Sequence, residues 1–327
     1  MTDPARPASA PTMAGGWCWF SQVEVLERGR APVAMPAAEL DAASLARLTA
    51  RRSLGGLEFD RPKIMGILNV TPDSFSDGGR FLRPEAALMQ ARQMAAGADL
   101  IDVGGESTRP GAVEVAEAEE IARTAPVIAA LREGGLDCPL SIDTRKAGVA
   151  RAALAAGAGI VNDVSALGFD DRMAAMLATA AAPVILMHAQ GDPATMQADP
   201  HYDDVLLDVF DFLAARVAVA EAAGIARTRI AVDPGIGFGK SLQHNLTLLN
   251  RLSLFHDLGL PVLLGASRKR FIGTLGAGAE ASRRMPGSLA VALAGVAQGM
   301  QMIRVHDVAE TRQALSLWLA VTKGVPE

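Results

Sequence analysis

The chain has 327 residues, half of them hydrophobic, and carries a net charge of −5. This length and apolar content are sufficient for one large α/β domain with a well-filled core. The acidic balance, with a pI near 5.6, argues against bulk attraction to nucleic acid or to an anionic membrane, so an anionic small substrate would have to be bound by local cations.

Signals for export, membrane insertion and disulfide formation are weak. Residues 1–16 are rich in Pro, Ala and Thr without a signal-peptide pattern, and they predict a disordered tail. The apolar run at 178–187 is interrupted by Pro183 and is well short of the roughly 20 residues that a membrane helix needs. Cys18 and Cys138 lack the neighbouring ligands of a zinc site, so we expect reduced thiols in a cytoplasmic protein.

Residues 17–60 have a pattern that is harder to interpret. Residues 17–26 suggest a strand, residues 40–52 have helical spacing with Asp41 as a possible cap, and Gly55 and Gly56 suggest a hinge. We interpret this segment as an N-terminal extension that covers one end of the main domain, and we assign it no chemistry.

From residue 61 to the C-terminus, short apolar runs alternate with longer amphipathic segments. The predicted strands are 64–68, 100–103, 140–142, 160–161, 183–187, 230–232, 262–264 and 302–305. The predicted helices are 84–96, 115–131, 146–156, 171–180, 202–223, 243–252, 288–298 and 307–321. Eight strand–helix repeats favour a (β/α)₈ TIM barrel, with a doubly wound open sheet as the alternative.

Polar residues follow every predicted strand, which separates these two folds. In chain order they are Asn69, the loop 104–109, Asp143, Asn162, His188, Asp233, the run 267–269, and Arg304 with His306. An open sheet would concentrate such residues near one switch point, whereas a closed barrel brings all strand ends to one mouth. The even distribution favours the barrel.

Two loops have the composition of mobile lids. Residues 63–80, KIMGILNVTPDSFSDGGR, begin as a buried strand and continue as a polar loop with two acids, an aromatic residue and paired glycines. The second loop, residues 104–111, is bounded by glycines and contains Pro110. Together they could close over a substrate and exclude water.

The strand ends also predict a binding chemistry. A single acid such as Asp143 or Asp233 could equally cap the next helix. Two acids, the amide of Asn162 and Lys269 at one mouth are better explained by a fused heterocycle with adjacent donors and acceptors. The cations near 268, 269 and 304 follow the last two strands, where such barrels commonly bind phosphate.

Other motifs do not predict chemistry. Residues 233–241 resemble a P-loop, but Pro234 stands where its first glycine belongs, so we interpret the glycines as a tight loop that lets Phe238 approach a flat ligand. His188 is interpreted as structural, and no serine or cysteine has a nucleophile-elbow context.

Residues 69–79, NVTPDSFSDGG, together with the second loop and the run Ser267-Arg268-Lys269, resemble the dihydropteroate synthases, and the resemblance covers the chain from about residue 63 onward. It implies a transferase of folate biosynthesis that condenses 6-hydroxymethyl-7,8-dihydropterin diphosphate with p-aminobenzoate to give 7,8-dihydropteroate and pyrophosphate. It also implies bound Mg²⁺, a homodimer formed through the last helices, and sulfonamides as mimics of p-aminobenzoate.

The resemblance assigns site residues by position. It implies that the pterin ring is held by Asp143, Asn162, Asp233 and Lys269, and packed by Met187, Phe238 and Gly265. It places Ser267 at p-aminobenzoate, Arg304 and His306 at the pyrophosphate, and Asn69 at Mg²⁺. Around the reaction centre it places the loop residues Phe75, Asp77, Thr108, Arg109 and Pro110, with Asp77, Arg109, Asp143 and Lys269 in catalytic roles.

Two other functions fit part of the pattern. A methyltransferase that moves a methyl group from methyltetrahydrofolate to a corrinoid protein would share the pterin-edge residues but would not need the diphosphate cations or the lid at 73–79. A non-catalytic pterin-binding module would be expected to lose both the lid and the phosphate residues. This chain has both sets.

Overall fold

The computed structural model describes residues 5–70, 83–107, 112–191, 195–278 and 280–325. The extension contains an antiparallel ribbon of β1 (Gln22–Val25) and β2 (Val33–Pro36), followed by helix α1 (Ala42–Thr49). The side chain of Asp41 caps α1 by accepting from the backbone N–H of Ser44. A short hairpin of β3 (Ser53–Leu54) and β4 (Leu57–Glu58) then leads into the barrel.

Order begins before residue 16, which differs from the predicted disordered tail. Ala10 and Ala14 are buried, and the backbone N–H of Met13 donates to the carbonyl of Cys18 across 2.9 Å. The indole N–H of Trp17 donates to the carbonyl of Val296 across 2.8 Å. This hydrogen bond anchors the segment to the barrel, where Ala10 and Ala14 are buried. Composition alone cannot predict such a contact.

The main domain is a closed parallel barrel. Its strands are β5 (Lys63–Asn69), β6 (Leu100–Gly104), β7 (Leu140–Asp143), β8 (Ile160–Asp163), β9 (Val184–Met187), β10 (Ile230–Asp233), β11 (Leu263–Leu264) and β12 (Met302–Val305). They are hydrogen-bonded in the order β10-β9-β8-β7-β6-β5-β12-β11, and a parallel bridge between Val232 and Val262 joins the two ends. The predicted (β/α)₈ barrel is confirmed and the open sheet is excluded.

Helices follow the strands around the outside of the barrel. They are α2 (Arg83–Ala95), α3 (Glu117–Glu133), α4 (Ala147–Ala155), α5 (Met173–Ala180), α6 (Val205–Ala222), α7 (Leu242–Asn250), α8 (Arg270–Leu275), α9 (Met285–Ala297) and α10 (Val308–Lys323). The short helix α8 has no counterpart among the predicted helices, since six residues are too few for a periodic pattern. Within the described ranges, no helix is long and apolar enough to cross a membrane.

The inside of the barrel is layered along the strands. Leu54 and Phe59 of the extension pack against the apolar side chains that fill the N-terminal end of the barrel. These side chains are Met65, Leu100, Ile160, Ile185, Ala231, Leu263 and Met302. Because strand side chains repeat every two residues, the next inward positions on these strands are two residues further on. Four of them carry polar groups: Asp102, Asn162, Asp233 and Arg304. The hairpin therefore closes one end of the barrel, and the polar groups face the other.

Candidate active site

Asp102 organises one side of the barrel mouth. Its carboxylate is fully buried and accepts three hydrogen bonds from three other strands. Ser141 Oγ donates to Oδ1 across 2.6 Å, Asn162 Nδ2 donates to Oδ2 across 3.0 Å, and Arg304 Nε donates to Oδ2 across 2.7 Å. A buried carboxylate is tolerated only with such partners, so Asp102 fixes the orientation of the amide and the guanidinium.

The sequence prediction missed Asp102 because it considered only residues at the ends of strands. Asp102 lies inside β6, between Ile101 and Val103, in a strand that is buried throughout. A charged residue at an inward position of a fully buried strand is itself a signal, since burying an unpaired carboxylate is costly. Ser141, in the same network, gives no comparable signal.

Arg304 joins two acids. Besides its bond to Asp102, its Nη2 donates to Asp143 Oδ2 across 2.7 Å. Burial disfavours the charged guanidinium, but the two carboxylates outweigh that effect and raise the pKa of Arg304. Burial also raises the pKa of Asp143, with Arg304 opposing the shift. The strand-end cation thus lies within the polar cluster, close to the acids expected to meet the pterin.

Asn69 and Asp143 flank Gly104. A Cβ atom on Gly104 would lie 3.7 Å from Asn69 Oδ1 and 3.9 Å from Asp143 Oδ2. Both are oxygen donors of the kind that Mg²⁺ prefers. In the described part of the chain there is no cluster of three His, Cys, Asp or Glu side chains that could hold a metal. The donor set therefore fits an ion that is held largely by substrate oxygens and water, and only in small part by the protein.

Asp233 forms the opposite side of the mouth. Its Oδ1 accepts from the backbone N–H of Gly235 across 2.7 Å. A Cβ atom on Gly265 would lie 3.4 Å from Asp233 Oδ2 and 3.9 Å from Arg304 Cβ, so the glycine lies between the two halves of the site and leaves the second oxygen uncrowded. Burial raises the pKa of Asp233 to about 6, opposed by the Gly235 N–H and by the neighbouring lysines.

Lys269 and Phe238 lie beside Asp233. The Nζ atom of Lys269 lies 3.8 Å from the centroid of the Phe238 ring, a cation–π contact. Met187, at the end of β9, is buried and occupies an inward position. An aromatic face, a thioether and a cation next to a carboxylate can together bind both the face and the edge of a flat polar heterocycle.

The segments after β11 and β12 are joined twice. Ser267 Oγ lies 3.1 Å from His306 Nδ1 and accepts from the His306 backbone N–H across 3.2 Å. One residue further on, Arg268 forms an ion pair with Asp307. Arg268 has a φ of 57°, which is unusual for a residue with a side chain, and this turn separates Ser267 from Lys269. Ser267, Arg268 and Lys269 therefore contact different neighbours: His306, Asp307 and Phe238, respectively.

The base of the second loop is held by a buried ion-pair network. Glu106 is paired with Lys146 and, across 3.0 Å, with Arg145. Lys146 also donates to Glu120 across 2.7 Å. Spacing alone could not have predicted this network, because its members lie in different elements of the fold. It holds the side chain of Glu106 at the base of the loop.

The structure brings together most of the predicted site residues that it describes. On one side lie Asn69, Asp143, Asn162 and Arg304. On the other lie Asp233, Phe238, Gly265 and Lys269, with Ser267 and His306 paired nearby. The predicted loop residues Phe75, Asp77, Thr108, Arg109 and Pro110 lie outside the described residues. His188 contacts Lys240, as expected for a structural histidine.

Comparison with known protein sequences identifies relatives whose similarity covers the barrel and the site. The family described as pterin binding enzyme matches residues 65–306. The chain is 48 % identical over 268 residues to a dihydropteroate synthase of Neisseria meningitidis serogroup B, covering 80 % of this chain and 93 % of the relative. It is 48 % identical over 260 residues to that of Escherichia coli K12, covering 79 % and 91 %.

Solved structures agree with these relatives. The dihydropteroate synthase of Xanthomonas albilineans with 4-aminobenzoic acid superposes with a TM-score of 0.76 at 49 % identity, covering 81 % of this chain and 94 % of that one. The same enzyme in complex with 7,8-dihydropteroate gives 0.74 at 46 % identity, with 81 % and 95 % covered. The Yersinia pestis enzyme in a sulfonamide drug complex gives 0.75 at 42 % identity, with 91 % and 99 % covered.

The closed barrel carries acids, an amide and cations at its mouth, and the match over residues 65–306 shows that the chain belongs to the family of pterin binding enzymes. Within the family it belongs with the dihydropteroate synthases, which are transferases of folate biosynthesis.

Proposed function

We propose that the chain condenses 6-hydroxymethyl-7,8-dihydropterin diphosphate with p-aminobenzoate to give 7,8-dihydropteroate and pyrophosphate. The observation that carries the proposal is the network in which Asp102 holds Asn162 and Arg304 while Arg304 also pairs with Asp143. It combines the pairing groups for a pterin edge and a cation for a phosphate in one mouth. The relatives solved with 4-aminobenzoic acid and with 7,8-dihydropteroate support the same reaction.

The pterin is proposed to bind between the two acidic sides of the mouth. Asp143, Asn162 and Asp233 would accept from and donate to its ring edge, because an amide and ionised carboxylates can satisfy adjacent N–H, NH₂ and C=O groups. Phe238, Met187 and the alkyl chain of Lys269 would cover its faces, and Gly265 would leave room for its approach. These contacts fix the reactive methylene relative to the phosphate side of the mouth.

The diphosphate is proposed to bind at Arg304 and His306, with Asn69 contributing an oxygen ligand to a Mg²⁺ ion. When bound, this ion neutralises charge on the leaving group. Arg304 would exchange its contact with Asp143 for a phosphate oxygen while keeping Asp102 as its anchor. The freed carboxylate would then face the electron-poor methylene. Preorganised charges of this kind stabilise a transition state without reorganising during the step.

The bond changes balance without an added reagent. The C–O bond between the pterin methylene and the diphosphate breaks, and the leaving group keeps the electron pair. The arylamine nitrogen forms the new C–N bond and then gives up one proton to water or to the departing pyrophosphate. The arylamine is already a nucleophile, so no strong general base is required. Ser267 is proposed to position p-aminobenzoate, while Phe75, Asp77, Thr108, Arg109 and Pro110 are proposed, from the resemblance, to enclose the reaction centre.

Three finer assignments complete the proposal. A homodimer formed through the last helices is supported by Leu317 and Val321, which lie four residues apart on α10 and are 65 % and 73 % exposed. Inhibition by sulfonamides as mimics of p-aminobenzoate is supported by the relative solved in a sulfonamide complex. A cytoplasmic location is supported by the bacterial relatives and by the partly buried, unpaired Cys18 and Cys138.

The test is a pyrophosphate-release assay on purified protein with 6-hydroxymethyl-7,8-dihydropterin diphosphate and Mg²⁺, run with and without p-aminobenzoate. We expect arylamine-dependent release together with an equal amount of 7,8-dihydropteroate. A Lys269→Ala variant serves as the control for the pterin site and should need more pterin diphosphate. Tight binding of the pterin without arylamine-dependent release would contradict the synthase and indicate a binding module.

A further inference from the structure

Lys240 is a buried cation in the glycine-rich segment that resembles a P-loop. Only 2 % of the residue is exposed. The Nζ atom lies 2.8 Å from His188 Nδ1, 2.9 Å from the carbonyl oxygen of Gly235 and 3.1 Å from that of Phe238. An ammonium has three donors, and these acceptors satisfy all three. In a P-loop the lysine would instead reach a phosphate.

The partners of Lys240 are consistent with an ammonium. His188 can accept only through an unprotonated Nδ1, and burial lowers the pKa of His188 to about 2, with Lys240 as the next contribution. Burial lowers the pKa of Lys240 to about 7; the charge of Asp233 opposes this shift, and the charge of Lys269 adds to it. Both belong to the proposed pterin site. Lys240 therefore lies directly behind that site without entering it.

The acceptors lie in two separate segments that Lys240 holds together. His188 follows β9, whereas Gly235 and Phe238 lie in the loop after β10. Gly235 and Gly239 have φ values of 67° and 61°, and a Cβ on either would overlap the backbone of the segment after β9. The loop is so close to its neighbour that only glycine fits. The ammonium of Lys240 donates to two carbonyls of this loop, those of Gly235 and Phe238.

Phe238 lies at the tip of this loop. The neighbouring Gly237 is held by Asn245, whose Oδ1 accepts from its backbone N–H across 2.6 Å. The carbonyl of Phe238 is bonded to Lys240, and its ring contacts Lys269. Lys240 therefore holds the backbone of Phe238, and Lys269 contacts the face of its ring.

We propose that Lys240 is a positioning residue for the pterin subsite: its ammonium folds residues 235–239 around itself and so places Phe238 against Lys269. The inference rests on the proposed function, because it assigns Phe238 to the pterin face. A methionine would fill the same space, whereas the burial of a charge is costly unless the charge organises its surroundings. Lys240 therefore acts through Phe238 and contacts no reacting atom.

The test compares Lys240→Met with the wild type in steady-state kinetics and in calorimetric titration with the pterin diphosphate alone. We expect the KM and the Kd for the pterin diphosphate to rise roughly tenfold, the scale of losing a buried charge-assisted hydrogen bond. The KM for p-aminobenzoate should change less than about twofold, because Ser267 lies on a different segment. A folded variant with both KM values raised equally would overturn the proposal.

A double-mutant cycle with Phe238→Leu separates positioning from a general structural role. If Lys240 acts through the ring, Lys240→Met should have little further effect on pterin affinity once the ring is gone. Additive losses would show that Lys240 acts independently of Phe238 and would overturn the proposal. If Lys240→Met does not fold, Lys240→Gln, which keeps two donors, replaces it in the same cycle.

These measurements also separate the inference from the proposed function. The calorimetric titration reports pterin affinity whether or not the condensation takes place. Failure of the wild type to release pyrophosphate would contradict the synthase alone, whereas an unchanged pterin Kd in Lys240→Met would contradict the role of Lys240 alone.

Discussion

Arg304 and Asp102 form an ion pair inside the barrel, with Arg304 Nε 2.7 Å from Asp102 Oδ2. The acid comes from β6 and the cation from β12, two strands that are separated by β5 in the sheet. Since the same guanidinium also bonds to Asp143, Asp102 anchors a cation that can exchange its second partner. An anchored guanidinium reaches a phosphate with little loss of side-chain freedom.

Replacing Asp102 with Asn should destabilise the protein and weaken the site. The variant removes the charge that Arg304, Ser141 and Asn162 share, and removing one partner of a buried pair costs about 3 kcal/mol or more. Urea unfolding measures the loss of stability, and titration with the pterin diphosphate measures the loss of affinity. Asp60→Asn is the matched control, because its pair with Lys63 leaves Asp60 68 % exposed and is worth at most about 1 kcal/mol. Similar losses in both variants would argue against a central role for Asp102.

Asp233 should link pterin binding to pH. Burial raises its pKa from 3.8 to about 6, so the folded protein binds this proton more tightly than the unfolded chain. Its contribution to stability is therefore present below the unfolded pKa and is lost as the pH rises through about 6. Asp233→Asn should be more stable than the wild type at pH 8, by about 3 kcal/mol, and this advantage should shrink as the pH falls from about 6 and be nearly gone at about pH 4.

The same carboxylate should have the opposite effect on ligand affinity. The proposed pterin contact uses the ionised form of Asp233, so wild-type affinity should fall as the pH drops below about 6, whereas Asp233→Asn should bind weakly at every pH. Unfolding curves and pterin titrations between pH 4 and pH 8 measure both effects. Equal pH dependence in the two proteins would count against Asp233 as the group responsible.

At position 268, replacement of Arg by Gly should reduce stability less than replacement by Ala. Both changes remove the ion pair with Asp307, but Arg268 has a φ of 57°, so Ala keeps a left-handed strain that Gly does not have. We expect the Gly variant to be the more stable by about 1 kcal/mol in thermal unfolding. Arg151, exposed within α4, is the control, and there Ala should be better than Gly by about the same amount. The same order at both positions would contradict the prediction.

Leu54 should contribute to stability but not to activity. It is 1 % exposed and packs into the apolar layer at the end of the barrel opposite the site. Leu54→Ala should lower the free energy of unfolding by about 2 to 5 kcal/mol, the range for buried Leu-to-Ala changes. Below its unfolding temperature the variant should keep wild-type kcat and KM values. Val33→Ala, at a position 62 % exposed, should have almost no effect on either property. A folded Leu54→Ala enzyme with altered kinetics would show that the extension influences the site.

The sequence by itself determined the architecture and the location of the site. The alternation of apolar runs and amphipathic segments predicted all eight barrel strands, because a buried parallel strand and a helix packed on it differ in their local periodicity. The polar residue after each strand placed the site at one mouth, since closure brings every strand end to the same rim. Neither inference depends on which side chains meet.

Only the tertiary structure decided which atoms meet. Asp102 and Arg304 are 202 positions apart, and their ion pair exists because β12 and β6 both flank β5. Lys240 lies in a sequence that resembles a phosphate loop, yet its ammonium is bonded to His188, 52 positions earlier in the chain. Leu54 belongs to an extension with no clear pattern, yet it fills the end of the barrel. Local periodicity reports which face of an element is buried, whereas these contacts depend on closure of the barrel and on the side-chain positions that close packing then fixes.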